Sequence, residues 1–119
     1  MNESETKIII RRNYYFEIFN AITNYLQENP EAFWYKEDYW SPYWYELGLS
    51  DYKIDDLYPR MDQGKPLMEI MVEASIELFD IQESSLGYRM TEKIRIVANV
   101  DFEYENFEVV YVERYRNRF

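Results

Sequence analysis

A chain of 119 residues, 47% hydrophobic and carrying a formal charge of −10, fits one domain with a core of its own and excludes a disordered polymer. Having no cysteine and no histidine, it excludes disulfides, thiolate and imidazole metal sites, Ser-His triads and cysteine nucleophiles. The negative excess argues against direct contact with nucleic acid or an anionic membrane.

No run approaches the roughly 18 apolar residues of a membrane span. The opening MNESETK is polar and starts acidic, unlike a secretory leader, so a cytoplasmic setting is expected. Gly48, Gly64 and Gly87 lie too far apart for a Walker loop or dinucleotide fingerprint, and no cofactor or metal is expected. The charge is unevenly placed. Residues 1–27 hold three acids and three bases, and residues 84–119 hold six of each. Residues 28–83 hold fourteen acids against Lys36, Lys53, Arg60 and Lys65, so the whole excess of ten falls there.

In chain order, KIII (residues 7–10) reads as a short strand or as part of a longer helix. Residues 13–28 read as a helix capped by Asn13, with Tyr15, Ile18, Phe19, Ile22, Tyr25 and Leu26 on one face and Asn29-Pro30 ending it. FWYKEDYWSPYWYELG, residues 33–48, holds all three tryptophans with acids between the rings. It is expected to form two short helices, 31–40 and a second restarting at Ser41-Pro42, with Trp40, Tyr43, Trp44 and Leu47 sharing one face and Gly48 as the stop. A further turn is expected over Asp51–Leu57 from a Ser50 cap, closed by Pro59. Residues 62–66 read as a loop.

Residues 67–81 fit a helix or a strand. A helix would stack Glu69, Glu73 and Glu77 at repulsive four-residue spacing, so a strand is expected. Residues 93–104 alternate, with Ile94, Ile96, Ala98, Val100, Phe102 and Tyr104 inward. Residues 107–115 alternate again, with Phe107, Val109, Tyr111 and Tyr115 on one side. A two-residue turn at Glu105-Asn106 would pair Tyr104 with Phe107 and Phe102 with Val109. The outward faces of the first two strands meet only across an odd-length loop or a bulge, which would set Lys93 or Arg95 opposite Glu77. Val97, Val110 and Val112 would form a small apolar stripe on the outer face, covered by a loop or by the start of the chain, or used in a homodimer. The expected fold is a single α+β domain over residues 1–119. Residues 1–64 are mainly helical in this reading, and 65–119 form an antiparallel meander of about three strands with the helices on one face.

Two short helices cannot bury eight rings. The tryptophans are therefore expected in the core, and several of Tyr35, Tyr39, Tyr43 and Tyr45 at the surface beside Glu37, Asp38 and Glu46, as in protein interfaces. A sugar platform or an aromatic cage for a methylated lysine could use the same rings. Asp51, Asp55, Asp56 and Asp62, with Glu69 and Glu73 beyond them, lack the spacing and glycine of a calcium loop, and a chain this short leaves little room for a glycosidase cleft. They fit a solvated acidic face or a mimic of phosphate charges. The resulting expectation is a non-enzymatic acidic protein that docks on a basic, nucleic-acid-binding protein and blocks it. In size, charge and lack of catalytic groups the chain is similar to the small inhibitors that phages and archaeal viruses direct against CRISPR or restriction effectors. That likeness of class rests on no particular residue, and it would place the protein in the host cytoplasm. The alternatives are an immunity protein against a basic nuclease toxin, and a ligand-binding or enzymatic domain with Glu73 or Asp101 acting as a base in a helix–sheet pocket.

Overall fold

A computed structural model describes residues 2–29, 45–80, 85–101 and 106–115, with the backbone alone at 45, 80 and 85–88. The first element is one helix, α1 (Glu3–Glu28), which includes the KIII segment. Its cap is Asn2 rather than Asn13: the Asn2 side-chain oxygen accepts the Glu5 N–H at 2.8 Å. Glu3 and Glu5 sit in the first turn, where the helix dipole favours negative charge. Tyr14, beside the expected start, has non-helical angles (φ −126°, ψ 24°) and kinks the helix there. Ile10, Tyr14, Ile18, Ile22 and Leu26 are its buried residues, flanked by partly buried Tyr15, Phe19 and Tyr25.

Among the described residues, four antiparallel strands follow in meander order: β1 (Tyr45–Asp62), β2 (Lys65–Asp80), β3 (Ser85–Val100) and β4 (Phe107–Arg114). The fold is thus α+β with a helix on an antiparallel sheet, as expected, but with four strands. The difference is β1. Residues 45–62, expected as helical turns, pair along the length of β2. Gly48 and Pro59 are strand residues on this edge strand, where a proline's missing N–H costs no ladder bond if it points to solvent. The expected 62–66 loop contracts to Gln63-Gly64, both at positive φ (51° and 79°), as a tight two-residue hairpin loop requires.

On the inner face Ile70, Val72, Ala74, Ile76, Ile94, Ile96 and Ala98 are fully buried against Ile10, Ile18, Ile22 and Leu26. Each such aliphatic side chain contributes about 1.5–3 kcal/mol by leaving water. The helix spans the sheet. Tyr15 stacks on Tyr52 of β1 at 5.1 Å, and Tyr14 stacks on Phe107 of β4 at 4.5 Å.

The strand expected over 67–81 is present as β2, and an irregularity between Leu78 and Phe79 is the bulge the face-matching argument requires. It places Arg89 rather than Lys93 or Arg95 opposite Glu77, while Lys93 faces Glu73. The β3–β4 register differs from expectation by four residues: Phe107 pairs with Val100 and Val109 with Ala98. A second irregularity, between Val97 and Ala98, leaves Val110 without a partner and reverses the faces beyond it. Tyr111 and Tyr115 therefore reach solvent, whereas Val112 packs on the core. The outer apolar stripe of Val97, Val110 and Val112 accordingly does not form. Expectations on 31–40, Ser41-Pro42 and Trp34, Trp40, Tyr43 and Trp44, with Phe102 and Tyr104, lie outside the described residues.

Candidate protein-docking surface

The outer face of the sheet is a ladder of opposite charges. Glu69 on β2 is only 8% exposed, and its Oε1 accepts Arg95 Nε of β3 at 2.6 Å. Arg60 Nη2 of β1 stands 2.6 Å from Oε2, close enough for full charge attraction but outside hydrogen-bond alignment, so Oε2 has no hydrogen-bond donor. Arg95 continues to Glu113 of β4 at 3.0 Å, and Glu113 accepts the Tyr111 hydroxyl. One row along, Glu73 lies 3.9 Å from Lys53 and 3.4 Å from Lys93, and Lys93 also binds Asp55 at 2.5 Å. Glu77 pairs with Arg89 at 3.5 Å. These contacts raise the Lys93 and Arg95 pKa values, through the hydrogen bond to Asp55 in the first case and to Glu69 in the second.

A second node fastens the helix to β1. Asp51 accepts the Tyr15 hydroxyl at 2.8 Å, its neighbour's Tyr52 N–H at 2.8 Å and Arg11 Nη2 at 3.2 Å. The Tyr15 hydrogen bond, then the Tyr52 N–H, hold the Asp51 carboxyl below the usual aspartate range. The Arg11 guanidinium lies over both rings, 5.0 Å from Tyr15 and 5.7 Å from Tyr52. Burial pushes the Tyr52 phenol up.

The expected site residues therefore divide. Asp51, Asp55, Glu69 and Glu73 are ion-paired within the fold. Glu46 and Asp56 are exposed, with no ion pair among the described residues. Tyr45 opens β1. Glu37, Asp38, Tyr39 and Tyr43 lie outside the described residues. Glu73 faces away from the helix, and Asp101 is exposed just after β3, beside an open cleft of about 690 Å³ that includes Lys65, Asn106 and Glu108. Neither points into the helix–sheet core. Sequence reasoning passed over the Tyr15–Asp51–Arg11 node because its members lie some forty residues apart; Arg11 and Asp51 of opposite sign were the available signal.

Among the described residues the ion pairs join seven acids to seven bases, the last two being Arg11–Asp51 and Arg114–Glu92. Of the chain's 23 acids and 13 bases this leaves sixteen against six, so ten carboxylates stay unbalanced however those six bases are placed. No helix among the described residues is long and apolar enough to cross a membrane. No protein-family model matches the chain, and no curated protein or solved structure shows significant similarity to it.

Proposed function

We propose that this protein is a non-enzymatic acidic binder that docks on the basic face of a nucleic-acid-binding protein and blocks it, as a phage or viral anti-defence inhibitor would. The observation that carries this reading is the split between neutralised and surplus charge. Apart from Asp56, the acids of the outer sheet face are paired with bases of neighbouring strands, which stiffens the scaffold, while the surplus of ten has no internal counter-charge. Docking is assigned to Glu37, Asp38, Glu46 and Asp56, with Tyr39, Tyr43 and Tyr45 as aromatic anchors. Asp51, Asp55, Glu69 and Glu73 support the fold and add only field. An immunity protein for a basic nuclease would rest on the same physics and differs only in the partner it neutralises.

The test uses a purified basic effector, such as a CRISPR or restriction nuclease, with association followed at about 50 to 500 mM NaCl. Charge reversal at Glu37, Asp38 and Glu46 together is expected to slow association about tenfold or more at low salt, whereas Glu73→Gln leaves the rate near wild type. Duplex DNA should compete. Affinity that stays constant across the salt range, or a complex that DNA does not displace, rejects mimicry.

A further inference from the structure

A cleft of about 480 Å³ opens on the outer sheet face, lined by Asp55, Asp56, Tyr58, Arg60, Glu69, Met71, Lys93 and Tyr115. We propose that it receives one guanidinium side chain from a basic protein partner, held by the Asp56 carboxylate and the Tyr58 ring. The inference rests on the docking function above and adds to it a particular pocket and a particular residue type.

Charge comes first. Of the five charged groups around the cleft, four are engaged with one another: Asp55 with Lys93, and Glu69 with Arg60. Asp56 alone has neither ion pair nor hydrogen bond among the described residues. Three acids against two bases leave the cleft one negative charge, which one cation completes. An anion would meet Asp56 without a free counter-charge, and no group of carboxylates suited to a metal ion occurs among the described residues.

The remaining surfaces select the shape of that cation. Tyr58 is 49% exposed, so it offers a ring to an incoming group. Asp56 is the main cause of the raised Tyr58 phenol pKa, in keeping with the two groups sharing one space. Met71, 8% exposed at the cleft, presents a polarisable thioether suited to an alkyl stem. A planar guanidinium stacks on tyrosine and binds a carboxylate through two N–H groups, which an ammonium does not, so arginine is favoured over lysine.

Met71 also supplies the probe. With ¹³C-methyl methionine labelling, the full chain is titrated with a tetra-arginine peptide while calorimetry records total binding. The expected result is a saturable shift of the Met71 methyl, with Met61 and Met90 still. Binding should be about tenfold weaker in Asp56→Asn and several-fold weaker in Tyr58→Ala or with tetra-lysine. Asp56 and Tyr58 are exposed, and neither substitution removes an ion pair. Calorimetric binding that leaves Met71 unmoved, or that is unchanged in Asp56→Asn, overturns the cleft while leaving the docking function standing. Absence of any binding also overturns the cleft, and the salt series with the intact effector then decides the function separately.

Discussion

Single residues in this protein do two kinds of electrostatic work. Glu69, Glu73 and Glu77 recur every fourth residue on one face of β2, and each meets at least one base from a neighbouring strand. The like-charge repetition that disfavours a helix is therefore what a strand resolves, because cross-strand partners replace axial neighbours. Asp51 is a different case, tying the helix to the sheet edge. Its folded-state pKa is lowered, so its contribution is complete above the ordinary aspartate value of about 3.9 and is lost as pH falls through the lower folded value. Its exposure limits the size of the effect. Asp51→Asn is expected to cost about 1 kcal/mol or less at pH 7, with the gap to wild type closing on acidification below about pH 4. Urea denaturation at pH 7 and pH 3 measures it, and a gap that persists at the lower pH would show that the carboxylate charge is not the cause.

Elements are governed by irregularities. In β1 the inward residues are Leu47, Leu49, Tyr52, Ile54 and Leu57, at alternating spacings of two and three. Register shifts between Leu49 and Asp51 and between Ile54 and Asp56 produce that rhythm, each inserting one unpaired residue. A strand search looks for period two, so the residues read as helical turns, encouraged by Gly48 and the Ser50 cap. The bulges also twist and interrupt an edge strand, which discourages edge-to-edge pairing. At the β1–β2 turn, Gly64 has φ 79° and open space around a prospective Cβ, so backbone strain alone opposes a side chain. Gly64→Ala is expected to lower stability by about 1–2 kcal/mol. Gln63→Asn should be neutral or stabilising, since asparagine tolerates the left-handed region. Thermal midpoints of the two variants check this, and equal losses in both would contradict the turn geometry.

At the scale of the whole molecule, α1 is held by a stripe of aliphatic side chains and by ties at both sheet edges. Glu3 accepts the Leu57 N–H at 3.0 Å, and the Tyr25 hydroxyl accepts the Arg114 N–H at 3.0 Å. Ile22 is fully buried at the helix–sheet contact. Ile22→Ala is expected to cost about 2–5 kcal/mol, combining lost transfer energy with an unfilled cavity. Unfolding followed by far-ultraviolet dichroism and by tyrosine fluorescence should shift together if helix and sheet melt as one unit. Separate transitions would mean that the sheet stands without the helix.

Much of this protein follows from local pattern alone. The apolar stripe of residues 18–26, the alternation of β2 and β3, the need for a bulge between those strands and the α+β class all depend on nearest-neighbour periodicity. So does the charge of −10, a property of composition. Tertiary structure alone decided the rest. A four-residue slip of β4 keeps apolar residues facing apolar ones, so periodicity could not choose between the two registers, and the Val110 bulge then reversed the outer half of that strand. The pairing of carboxylates was equally hidden. Whether an acid is surplus or neutralised depends on a base brought beside it by strands distant in sequence, and only the folded sheet supplies that neighbour.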